Sequence, residues 1–138
     1  MLPARIQPRG RLARGGFLLI CLLLLTLWGV DRAVWGQPYI RVFNRSGLPL
    51  QKVVIGASEG GEHSFAVLED KHRVGVKLKV QGEASVTLSF QAAGQTHTAG
   101  SAYVESEGGY CIDYVVTPTL QVKTNLNIVC FRLERILP

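Results

Sequence analysis

The chain has 138 residues, is 47% hydrophobic and 18% charged, and carries a formal net charge of +5. These values exclude a disordered tail, a coiled coil and a collagen-like repeat, and leave room for one domain of ordinary size. A charge of +5 would suggest nucleic acid or an anionic surface, but residues 1–36 hold five arginines and one acid, and residues 37–138 hold ten Lys and Arg against nine Asp and Glu. The basicity belongs to the N-terminus, so no nucleic-acid partner is expected.

Arg5, Arg9, Arg11 and Arg14 lie in a basic n-region, residues 1–16, and no charge follows until Asp31. The next segment, 17–36, opens on FLLICLLLLTLWGV, in which only Thr26 and Gly29 interrupt an apolar run. It contains Phe17, Leu18, Leu19, Ile20, Leu22, Leu23, Leu24, Leu25, Leu27 and Trp28. A basic start followed by such a run presents a chain to a bilayer for export, with the positive end kept on the cytoplasmic side. The expected location is the cell membrane, single-pass, with the C-terminal domain outside the cytoplasm. Gly15–Val30 would span roughly 24 Å at about 1.5 Å per residue, short of the ~30 Å hydrocarbon layer, which favours a removable signal. Cleavage near Gly36 would give a secreted or periplasmic protein. Trp28, Trp35 and Tyr39 as interfacial anchors favour retention instead. Bulky Ile20 before Cys21 disfavours a lipoprotein signal, and no arginine pair indicates twin-arginine export.

From Tyr39 onward the apolar period is two. Val74, Val76, Leu78 and Val80 alternate with polar residues or glycine, and so do Val86, Leu88 and Phe90. With Gln81-Gly82-Glu83 between them, these runs predict a hairpin in which Leu78 faces Val86. Further strands are expected at Tyr39–Phe43, Leu50–Ile55, Ser64–Leu68, Ser101–Glu105, Tyr110–Val116, Thr119–Lys123 and Leu126–Leu133, with one helical turn at Glu69–Arg73. The expected fold of residues 37–138 is an all-β, small antiparallel β-sandwich of seven to nine short strands. It is immunoglobulin-like in architecture only, preceded by one N-terminal hydrophobic helix. No tryptophan follows Trp35, and Cys111 and Cys130 lie too close in sequence for the inter-sheet pin of an antibody domain.

Cys111 and Cys130 are a candidate disulfide, closing a loop of about 20 residues and stabilising by roughly 3 kcal/mol in the chain-entropy model. The alternative is two reduced cysteines packed as small hydrophobes. Gly56-Ala57-Ser58-Glu59-Gly60 matches a nucleophile-elbow pattern, but Gly61 follows at once and no helix does, so a hairpin loop explains it. His63, His72 and His97 lack metal-ligand spacing. Glu59, Glu62, Glu69, Asp70, Glu105 and Glu107 read as solvated acids. No cofactor or metal is expected. Arg73, Lys77 and Lys79 form a possible interaction stripe on the outer face of the hairpin, opposite Ser85, Thr87 and Ser89. The alternative is that they only discourage edge-to-edge aggregation. Asn44-Arg45-Ser46 fits a glycosylation sequon and reads as a turn with Gly47.

The expected function is a non-enzymatic, membrane-anchored or secreted envelope protein, an accessory or adaptor that binds another protein by a sheet edge or loop end. One alternative is a secreted binder of a small ligand or polymer, or an inhibitor of an extracellular enzyme, using an apolar cleft or a protruding loop at Ala57–Ser64. Another is a small serine hydrolase in which Ser58 would stand within hydrogen-bond reach of one of the histidines.

Overall fold

The computed structural model of the protein describes residues 10–128 and 130, with backbone alone for residues 10–15, 32–34 and 101. Arg5 and Arg9 lie outside the described residues, as does the part of the predicted Leu126–Leu133 strand beyond Cys130. Of Arg11 and Arg14 only the helical backbone is described.

The first element is a helix, α1 (Gly10–Val34). Among the described residues eight strands follow: β1 (Tyr39–Asn44), β2 (Leu50–Ala57), β3 (Glu62–Leu68), β4 (Arg73–Lys77), β5 (Glu83–Ala92), β6 (Gln95–Glu105), β7 (Cys111–Val116) and β8 (Val122–Asn127). They form an all-β sandwich of two four-stranded sheets, ordered β4-β1-β7-β8 and β3-β2-β5-β6. Every pairing between these strands is antiparallel except β1 with β7, which run parallel with Ile40 beside Ile112 and Val42 beside Tyr114.

The alternation in sequence becomes the alternation of faces, because successive strand residues point to opposite sides. Ile40, Val42, Ile112 and Tyr114 from one sheet meet Ile55, Val86, Leu88 and Phe90 from the other, and all are buried. The Tyr114 hydroxyl crosses the core and donates to the Val86 carbonyl at 2.9 Å. Val86 adjoins a register shift between β5 and β6. Burial pushes the Tyr114 phenol up to about 12, since its ionised form would lack water.

The hairpin predicted from Val74–Val80 and Val86–Phe90 is not formed. In the structure β4 pairs with β1, placing Val76 beside Ile40, whereas β5 pairs with β2 and β6 in the other sheet. The two apolar faces do meet, across the sandwich core rather than side by side. A period of two identifies the buried face without saying which of these it is. The crossing is held by Leu78 N donating to Pro38 O, by Val80 N donating to the Gln37 side chain, and by a bridge from Val80 to Gly60.

Two further expectations change. The strands expected at Thr119–Lys123 and from Leu126 merge into β8, because Thr117–Gln121 form its turn, with Thr117 N on Gln121 O and Leu120 N on Thr117 O. Glu69–Arg73 is a tight turn, with His72 N on Glu69 O and Lys71 at φ +63°, a left-handed backbone that breaks a helix.

Candidate functional site: the β8 edge and its surroundings

Four strands lie at sheet edges: β4 and β8 in one sheet, β3 and β6 in the other. Among the described residues β8 pairs with β7 alone, and Lys123 to Ile128 are all exposed. Thr124 and Leu126 stand beside core-facing Tyr114 and Ile112, so they lie on the core side of the sheet. Yet Leu126 is 41% exposed, and Ile128, just past the strand, is 66% exposed. An open edge of this kind offers backbone donors and acceptors together with an apolar flank, which is what an added strand needs.

The other edges are guarded. β4 carries Arg73 and Lys77, β3 opens on Glu62 and His63, and β6 is interrupted by its register shift. Charges and irregularities of this sort oppose strand addition. The expected basic stripe is therefore rearranged. Arg73 stands beside Phe43 and Lys77 beside Tyr39, not opposite Ser85, Thr87 and Ser89, and Lys79 lies beyond β4 on the crossing segment. Neither Arg73 nor Lys77 is without a partner.

The same sheet carries a buttressed outer face. Arg41 makes a two-pronged bond to Asp113, at 3.0 and 3.1 Å, and its guanidinium lies 4.9 Å from the Phe43 ring centroid. Beside it Cys111 and Cys130 are joined in a disulfide, with Cα atoms 5.5 Å apart. Tyr39, Cys111 and Cys130 form a small buried cluster of their own. The bridge ties the chain after β8 back to the first residue of β7. Tyr39 fits there because Gly75 lacks a side chain; a Cβ at Gly75 would occupy the position of the Tyr39 ring and hydroxyl.

Among the described residues no hydrogen bond joins Ser58 to His63, His72 or His97. The Ser58 hydroxyl accepts a hydrogen bond from Ser85 N at 3.0 Å, and Ser58 N donates to Ser85 O, so this serine closes the loop onto β5. The glycines of its motif answer to packing: a Cβ at Gly60 would strike the Lys79 carbonyl, to which Gly61 N donates at 2.7 Å. Within Ala57–Ser64, Glu59, Gly60 and Gly61 are tied to the crossing, while Ser58–Gly60 and Glu62–Ser64 are exposed. His72 Nδ1 contacts the Asp70 carbonyl at 3.0 Å, and His63 lies exposed on β3. His97 stacks on Phe90, 5.2 Å between centroids, with its Nε2 buried and without a hydrogen-bond partner. It lines an open cleft of about 590 Å³ with Leu120 and Gln121, and a second cleft of about 420 Å³ lies by Leu48, Pro49 and Gln91. Among the described residues no three His, Cys, Asp or Glu side chains come together to hold a metal ion. An acid outside the expected set, Glu83, has the clearest effect: its hydrogen bond with exposed Tyr103 pushes that phenol up to about 12.

Asn44 and Ser46, noted in sequence as a sequon, are a buried polar clamp. Asn44 Nδ2 donates to the carbonyls of Leu48 and Leu68 at 2.7 and 2.8 Å, and Oδ1 accepts from Ser46 N and Ser46 Oγ at 3.0 and 2.7 Å. Gly47, at φ +80°, completes the turn, and its N–H donates to Asp70. A glycan on Asn44 Nδ2 would take one of its two hydrogens and so break one of the bonds to the Leu48 and Leu68 carbonyls.

The apolar residues of α1 remain outside the sandwich. Phe17, Leu18, Leu19, Ile20, Leu22–Leu25, Leu27 and Trp28 are 46–69% exposed, and none belongs to the core. Among the described residues no helix is long and apolar enough to cross a membrane.

No family model matches the chain, and no curated protein does. Among solved structures, an NMR structure of a protein from Eubacterium rectale is similar at a TM-score of 0.48 and 12% identity, covering 65% of this chain and 87% of that one.

Proposed function

We propose that the protein is exported, that its N-terminal segment directs it to a membrane, and that the sandwich acts there as a non-enzymatic adaptor binding a protein partner along β8. The supporting observation is the division of apolar surface. The sandwich closes a core without α1, while α1 keeps its leucines exposed, a surface that a soluble domain does not maintain without use. The basic residues before Gly15, Arg5, Arg9, Arg11 and Arg14, orient such a segment with the domain on the far side. The adaptor role draws on the β8 edge, which among the described residues pairs on one side alone and carries a single charge, Lys123.

The test is expression of the full chain, followed by intact mass, alkaline extraction of membranes, and protease protection. A retained anchor gives full-length mass in the extracted membrane pellet, with the sandwich accessible from outside. A chain beginning at Gln37 in the soluble fraction keeps export and replaces anchoring with secretion. Recovery of the unprocessed chain in the cytosol overturns the proposal.

A further inference from the structure

Resting on the reading of β8 as the docking edge, we infer that its occupant is β8 of a second copy of this chain, paired antiparallel about a two-fold axis through Asn125. Two copies of this edge, which among the described residues has no strand on its outer side, can close into an antiparallel dimer only about an axis perpendicular to the sheet. Residues of the same face then stand opposite each other, and the interface is self-complementary. With the axis on Asn125, Lys123 faces Asn127 of the other copy and Thr124 faces Leu126. Val122 comes level with Ile128.

Three observations favour this occupant. The residue on the axis must satisfy itself, and a carboxamide, which both donates and accepts, does so where a charge would repel its image. Lys123, the single charged residue of β8, meets a neutral amide rather than another lysine. Leu126 and Ile128, 41% and 66% exposed, are brought against Thr124 and Val122 on the core side, where the single copy leaves them uncovered. A six-residue edge is a small interface, and confinement of both copies to one membrane would raise their effective concentration.

The experiment uses the full chain with Cys21→Ser, carrying Asn125→Cys or Lys123→Cys, oxidised in native membranes. Asn125→Cys is expected to give a disulfide-linked species of twice the chain mass. Lys123→Cys, whose two copies would stand about 14 Å apart along the strands, is expected to stay monomeric. In detergent, Asn125→Lys and Asn125→Glu should each be monomeric by light scattering and dimeric when mixed. A monomeric wild type, or equal cross-linking at 123 and 125, overturns the second-copy inference. Cross-linking of position 125 to a different protein overturns it too, while leaving the edge reading in place. Absence of any product at 125, with neither copy nor other protein captured, removes both.

Discussion

Asn44 uses both amide hydrogens and its carbonyl oxygen inside the protein, joining the end of β1 to the entry of β2 and the exit of β3. Asn44→Ala would leave the Leu48 and Leu68 carbonyls short of a donor, and a cost of about 2–4 kcal/mol is expected in urea unfolding. Tyr114 has a comparable place: Tyr114→Phe removes the donor to Val86 O and should cost about 1–3 kcal/mol. It also changes the response to alkali. The folded phenol holds its proton up to about 12 against an ordinary value of 10.0, so the folded state binds more protons between these pH values. The stabilisation is full below pH 10 and is lost as pH rises through 12. Stability measured across that window should fall less steeply in Tyr114→Phe. A residual slope is expected from Tyr103, whose bond to Glu83 acts in the same direction.

At the scale of elements, the disulfide ties the chain after β8 to the start of β7, and both sulfurs belong to buried residues. Cys130→Ser is expected to lower stability by roughly 3 kcal/mol, a fall in Tm of roughly 12–24 °C for a domain of this size. Without denaturant the wild-type bridge should resist reduction, as scored by alkylation and mass. Gly75→Ala would push Tyr39 off the same cluster, with an expected loss of about 1–3 kcal/mol in thermal unfolding. Strands were the readable part of the sequence, because burial on one face imposes a period of two and Gly, Pro and Asn punctuate it. β1, β2, β3, β5 and β7 fall within a few residues of their predicted ranges. What could not be read was which strand lies beside which. Val74–Val80 and Val86–Phe90 have the same pattern whether they share a sheet or oppose each other, and the choice rests on distant groups such as Pro38 O and Gly60. The β8 edge was missed for the same reason, since edge position is a property of sheet order. The Thr117-Pro118 turn signal was visible, but the hairpin turn it begins displaced the predicted strand start to Val122. Asn44 was visible as a turn residue, though nothing local marked its amide as buried.

At the scale of the whole molecule, the described apolar residues fall into two sets, one buried in the sandwich core and one exposed along α1. A chain beginning at Gln37 is expected to keep the β-type circular dichroism spectrum and a Tm within a few degrees of the full chain, while losing association with membranes in flotation. Among the described residues no side chain of α1 belongs to the core, so the fold should not need it.

The junction between the two parts is short. Only residues 35–38 separate α1 from β1, about 14 Å of chain even when extended. Gly36 is held from both sides: its N–H donates to Glu107 O and its carbonyl accepts from Gly109 N, each at 3.3 Å. A peptidase acting after Gly36 would therefore find its peptide bond sequestered once the sandwich has formed. If the chain were processed there, cleavage and folding would compete in time, and a chain that folded first would escape the cut. Retained or released, the protein's fate would then be set by the rate at which the loop around Gly109 closes over its own cleavage point.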